Sequence, residues 1–197
     1  MNQYLLGIDN GSTVSKAALF DLTGKEIAVA SCKAETEYPH PGWTELDMEK
    51  LWQSTTAAIR DVLAKSGVKP KEIAGIGNTG HGNGVYLLDK QGCPLRKGIQ
   101  SLDSRASDVV VRWNRENLHE RVFPITLQSF WPAQPNALLV WLKENEPKNY
   151  ERVGAILMVK DYIKYRLTGE ITGDYIIGFE PDQYLFLNLR LFSEPKN

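Results

Sequence analysis

The hydrophobic pattern changes character along the chain, from short strand-like runs to helical spacing. Tyr4 to Ile8 is apolar apart from Gly7 and stops at Asp9-Asn10-Gly11. Val14 to Phe20 follows and ends in Asp21-Leu22-Thr23-Gly24, and Glu26 to Ser31 forms a third run. Asn-Gly between two such runs predicts a tight hairpin, because both residues tolerate positive φ. The three runs therefore read as an antiparallel meander. Residues 32 to 47, with Pro39-His40-Pro41-Gly42-Trp43 among them, read as a loop. Asp47 then caps a helix in which Met48, Leu51, Trp52, Thr55, Ile59, Val62 and Leu63 share one face, and Ser66-Gly67 stops it.

The second part of the chain alternates. Ile73 to Gly77 predicts a short strand that opens into Asn78-Thr79-Gly80-His81-Gly82-Asn83-Gly84, and Val85 to Leu88 resumes the apolar pattern. Ile99 to Leu102 predicts another short strand, and Asp103 to Asn117 a helix with Ala106, Val109, Val110 and Trp113 inward. Pro132 and Pro135 bracket the start of a further helix. Ala155 to Val159 reads as a buried strand, and Asp161 as the cap of a helix stopped by Thr168-Gly169. Strands first, then strands alternating with helices, indicate an α/β domain with a mixed sheet. From Ile176 to Asn197 the rhythm breaks, and Phe179, Tyr184, Phe186 and Phe192 stand without a clear partner element.

Composition narrows the function classes. The 197 residues carry 23 Lys+Arg against 24 Asp+Glu, so neither a basic nucleic-acid face nor an acidic disordered chain is expected. No apolar run reaches the ~18–20 residues of a membrane span. Met1 to Asp9 lacks the basic head and long apolar stretch of a secretory signal. Cys32 and Cys93 have no CxxC or histidine partner, which argues against a zinc site or a disulfide framework. A cytoplasmic chain with reduced thiols is expected.

Three clusters carry candidate chemistry, and each has a plainer alternative. Asp9-Asn10-Gly11-Ser12-Thr13 with Lys16 is either a capped hairpin or a phosphate loop. In a phosphate loop, small residues let backbone N–H groups approach anionic oxygens, and Asp9 stands beside a Mg²⁺ ion. The GxxxxGK[ST] spacing of a Walker loop is absent. His81 and Asn83, among glycines, are either turn residues or polar groups at a site. Asp103 is either a helix N-cap or, with Arg105, a receiver for the hydroxyls of a small polar ligand.

Taken in order, GIDNGSTVSKAALFD, HPGWTELDMEKLWQ, GIGNTGHGNGVYLLDKQGCPL, SLDSR and KDYIKYRLTGE resemble the N-terminal domain of the FGGY family of carbohydrate kinases, its pentulose kinases in particular. The resemblance runs from about residue 3 to 175. It implies an actin-like, ribonuclease H-like fold over 1–175 and a divergent tail over 176–197. By the same resemblance, Asp9 takes the place of the Mg²⁺-associated aspartate, and Gly11, Ser12, Thr13 and Lys16 that of the first phosphate loop. His81, Asn83, Asp103 and Arg105 fall on the sugar-contacting positions. ATP, Mg²⁺ and a ketopentose or related polyol are the implied ligands, and a homo-oligomer or a complementing C-terminal half the implied partners.

The chain departs from the family pattern in three ways. Leu138 stands three residues before Trp141 where the family has a lysine, and Ser101 replaces a tryptophan two residues before Asp103. Family members are also much longer, and their second domain holds the adenosine-binding glycines and the general-base aspartate. The expectation is an ATP-dependent sugar kinase by descent, present as its N-terminal domain and alone without turnover. The alternatives are a non-catalytic sugar-binding or inert remnant, or one half of a split kinase.

Overall fold

The computed structural model describes residues 3–173; the expected divergent tail lies outside them. The described chain folds as two compact units. The first takes the chain to Glu37, Leu46–His81 and Val159–Ile171, and the second takes Tyr38–Glu45 and Gly82–Met158.

In the first unit, β1 (Tyr4–Asn10), β2 (Val14–Asp21) and β3 (Glu26–Lys33) form the expected meander. The fourth strand of the sheet, β6 (Ile73–Gly80), lies parallel to β1, giving the order β3-β2-β1-β6. This is the mixed sheet that the alternating pattern implied. Between β3 and β6 the chain forms two-residue strands β4 (Thr36–Glu37) and β5 (Glu45–Leu46), then helix α1 (Met48–Ser66). Both ends of α1 follow from its sequence. Asp47 Oδ1 accepts from the N–H groups of Glu49 and Lys50 at 2.9 Å each, and Gly67 closes the helix in the left-handed conformation. Leu51, Ala58 and Val62 of α1 are buried, as are Leu6 and Ile8 of β1 and Ala17 and Leu19 of β2. Helix α6 (Val159–Thr168) also belongs to this unit, and the Tyr162 hydroxyl donates to the Met48 carbonyl at 3.1 Å.

The hairpin differs from its prediction. Neither Asn10 nor Gly11 has positive φ. Both strands are longer than the apolar runs, and Gly11-Ser12-Thr13 forms the turn, with Gly11 N–H donating to the Val14 carbonyl at 3.0 Å. The reason is the Asn10 side chain, which is fully buried. Its Oδ1 accepts from Ser15 Oγ at 2.9 Å and from Thr55 Oγ1 at 2.7 Å. These two bonds satisfy the amide oxygen and hold Asn10 in the strand, while Nδ2 is buried with no partner among the described residues.

The second unit is built on the antiparallel pair β7 (Tyr86–Asp89) and β9 (Val153–Leu157), with the short β8 (Gly98–Ile99) bridged to Val85. Helices α2 (Ser107–Arg115), α3 (Leu118–Thr126), α4 (Pro135–Asn145) and the single turn α5 (Pro147–Tyr150) complete it. Its core joins Val85, Leu87, Ile99, Val109, Trp113, Leu138 and Leu142. The expected helix over 103–117 is shorter, and α3 follows it directly, because Asn117 turns left-handed between them. The expected strand over 155–159 lies two residues earlier. Asp161 falls inside α6 and is not its cap, since the helix already starts at Val159.

Gly84 in the second unit cannot be replaced cheaply. Gly84 has φ +77°, and a Cβ there would overlap the Ile99 carbonyl oxygen. Gly84→Ala is expected to cost about 2–3 kcal/mol in urea unfolding. Gly24→Ala, at φ +86° in open space, is expected to cost only about 1 kcal/mol.

Candidate functional site

The two-residue side-chain period of β1 divides its chemistry. Leu6, Ile8 and Asn10 point to the core, so Gly7 and Asp9 face the other way. Register carries this across the sheet, where Asp9 stands opposite Lys16 on β2 and opposite Thr79 on β6. These three residues line an open groove of about 410 Å³. Gly7 and Gly77 are register partners on its floor, and a Cβ on Gly77 would meet nothing within 4 Å. The absence of side chains at these two positions leaves the backbone accessible. The Asp9 carboxylate and the Lys16 ammonium have no hydrogen-bond or ion-pair partner among the described residues, although they are cross-strand neighbours.

The turn Gly11-Ser12-Thr13 lies at the end of the same strands. Its carbonyls are anchored by Thr36 Oγ1, donating to Ser12 at 2.9 Å, and by Ala34 N–H, donating to Thr13 at 2.9 Å. His81 follows β6, and its backbone N–H donates to the Asn10 carbonyl at 3.1 Å. Thus Asp9, Gly11, Ser12, Thr13, Lys16 and His81 all belong to the first unit.

Asn83, Asp103 and Arg105 belong to the second. Asp103 does not cap a helix, since α2 starts four residues later. Its carboxylate instead receives four hydrogen bonds. Oδ1 takes Arg105 N–H and Arg105 Nε at 2.9 Å each, and Oδ2 takes Arg105 Nη2 at 2.9 Å and Thr44 N–H at 2.7 Å. That fills roughly the whole acceptor capacity of a carboxylate. Arg105 Nη2 also meets Glu45 at 2.9 Å, and the guanidinium lies 4.0 Å from the centre of the Trp43 ring. Arg96 pairs with Glu45 and, at 3.1 Å, with Glu146. Burial pulls the Arg96 guanidinium below its ordinary pKa, against the opposing pull of Glu146 and Glu45. Arg105 Nη1 is buried without a partner among the described residues.

The residues that sequence reasoning missed here are Trp43, Thr44 and Glu45. They lay inside a segment read as loop, where a proline- and glycine-rich run hid a ring, a backbone donor and a carboxylate. Thr79, in the groove, was missed because the predicted strand ended at Gly77 and hid the register.

Comparison with known proteins agrees with this architecture. Residues 4–177 match the model of the FGGY family of carbohydrate kinases, N-terminal domain. The chain belongs to that family. It is 43% identical over 169 residues to the L-xylulose/3-keto-L-gulonate kinase of Escherichia coli, covering 86% of this chain and 34% of that protein. It is 43% identical over 168 residues to a probable L-xylulose kinase of Pasteurella multocida, covering 85% of this chain and 35% of that one. Among solved structures, xylulose kinase from Rhodospirillum rubrum superposes with a TM-score of 0.81 at 30% identity, over 87% of this chain and 35% of the other. The chain therefore spans about a third of the length of the curated relatives it matches. Its fold is the actin-like fold of these kinases, represented by their N-terminal part.

The buried Asp103–Arg105 pair sets a measurable contrast. Asp103→Ala leaves a buried guanidinium without its main counter-charge and is expected to cost about 3–5 kcal/mol in chemical denaturation. Glu144→Ala breaks only the half-exposed pair with Arg112 and is expected to cost about 0–1 kcal/mol.

Proposed function

We propose that this chain is the sugar- and phosphate-binding portion of an ATP-dependent pentulose kinase, acting on an L-xylulose-like ketopentose or related polyol. The observation that carries the reading is the groove on the outer face of β1, β2 and β6. A carboxylate and an ammonium, each unpaired among the described residues, face each other there across two strands, above a floor of glycine. Opposed charges that do not neutralise each other are free to meet a ligand carrying both signs, such as a phosphate chain with its metal ion.

The residues fit that group. Lys16 would hold phosphate oxygens, and the turn N–H groups of residues 11–13 would add donors. Asp9 would hold the divalent ion. Among the described residues no three His, Cys, Asp or Glu gather to hold a metal. A single carboxylate suits Mg²⁺, which draws its remaining ligands from water and phosphate. When bound, the ion screens the charge of the phosphoryl group in transfer. On the sugar side, Asn83 and His81 would offer polar groups to hydroxyls. Asp103 spends its acceptors on Arg105 and Thr44, so its part is to fix the guanidinium. Arg105 Nη1 remains as the donor of the pair that a ligand oxygen would satisfy.

Relatives at 43% identity named as L-xylulose kinases support the substrate class. A homo-oligomer or a complementing polypeptide, and a cytoplasmic location, belong to the same proposal. No helix among the described residues is long and apolar enough to cross a membrane.

Calorimetric titration of the chain with Mg·ATP tests the groove. Binding is expected, with Lys16→Met weakening it about tenfold or more and Asp9→Asn removing its dependence on Mg²⁺. Binding that neither substitution changes, or none at all, would overturn the assignment.

A further inference from the structure

Trp131 combines exposure with fixation. The residue is 53% exposed, yet it is tied at three points. Its N–H donates to Gln134 Oε1 at 3.0 Å, its carbonyl accepts from Gln134 N–H at 3.0 Å, and its indole Nε1 donates to the Ser101 carbonyl at 3.4 Å. Gln134 is held in turn, with Nε2 donating to the Ser129 carbonyl at 3.2 Å and to Gln128 Oε1 at 3.4 Å. A large ring held in place at the surface, half of it open to solvent, presents an apolar face that is already ordered.

The surroundings suit an amphipathic small molecule. The segment after the ring reaches the glycine loop directly, since Gly84 N–H donates to the Ala133 carbonyl at 2.7 Å. Asn83, one residue earlier, has φ +61°, in the left-handed region that asparagine tolerates better than most non-glycine residues. Its side chain has no hydrogen-bond partner among the described residues. Leu102, next to the carbonyl that holds the indole, is 68% exposed. An apolar ring and an unspent amide thus sit on segments tied by short backbone bonds, beside the Asp103–Arg105 element. Sugars have this same duality, with C–H faces and hydroxyl edges.

We propose that Trp131 is the apolar platform of the sugar site, on which the carbon face of a ketopentose or related polyol lies while Asn83 meets its hydroxyls. This rests on the sugar-kinase reading above. It assigns Trp131 a role in substrate positioning and selectivity: a polyol long enough to cover the ring gains from it, and a three-carbon one gains less.

The ¹⁵N-labelled 197-residue chain, titrated with L-xylulose and in parallel with glycerol, provides the test. Five indole N–H signals are expected from its five tryptophans, and Trp131→Phe identifies the one from residue 131. The Trp131 indole and the amides of residues 82–84 are expected to shift on one common isotherm with L-xylulose. Trp131→Ala is expected to weaken that binding about tenfold, and Trp131→Phe by about threefold or less. Circular dichroism and thermal midpoint check that each variant keeps the fold. If amides 82–84 and 103–105 titrate while the Trp131 indole stays fixed and Trp131→Ala binds like the parent, the platform is wrong and the sugar site stands. If no signal moves at about 100 mM sugar, far above the millimolar constants of a solvated site, both readings fall.

Discussion

The placement of strand β1 is the constraint on which the first unit depends. It pairs antiparallel with β2 on one side and parallel with β6 on the other, so its two-residue alternation is imposed on both neighbours. One face supplies Leu6 and Ile8 to the core, and the other presents Gly7 and Asp9. A slip of one residue would bury Asp9 and expose Ile8. Core and groove are therefore a single decision, made by register. Asn10 secures that register from within. Its buried amide oxygen, bonded to Ser15 and Thr55, joins the ends of β1 and β2 to helix α1, and its carbonyl takes the His81 N–H.

The second unit has its own fixed point in Arg105. A guanidinium removed from water is tolerable only when its charge is met on several sides. Here Asp103 grips it with both carboxylate oxygens, Glu45 adds a third contact, and the Trp43 ring covers it at 4.0 Å. Such a cluster holds the loop through residues 42–45 against the segment 103–105 by side-chain chemistry as well as by backbone bonds. Gly42 takes part in the close approach, with Ser104 N–H donating to its carbonyl at 2.8 Å. The geometry commits Asp103 to Arg105 and Thr44 and leaves Arg105 Nη1 without a partner among the described residues.

The sequence made some of this legible and hid the rest for physical reasons. Strands β1 to β3 and helix α1 were readable because alternation, Asp47 and Gly67 are local signals, decided within a few residues. The parallel pairing of β6 with β1 was not readable, because register between distant segments leaves no local mark, and with it went Thr79 and the groove. The Asn10-Gly11 dipeptide suggested a two-residue turn, but a buried hydrogen-bond network outweighed local preference. Asp103 and Asp161 carried the local mark of a helix cap and are instead, respectively, an ion-pair partner and a residue within a helix. Family resemblance named Asp9, Lys16, Asn83, Asp103 and Arg105, yet it gave no hint of the covering role of Trp43 or of the exposed ring of Trp131.

The central claim is that the glycine-floored face of β1, β2 and β6 receives the phosphate chain. Gly77→Val tests it most directly, because a Cβ at Gly77 meets nothing within 4 Å and the residue lies in a strand, where valine is well accommodated. The fold should survive while the groove is filled. Calorimetry of this variant with Mg·ATP should show binding lost at an unchanged thermal midpoint. Full binding by a folded Gly77→Val variant would contradict the account.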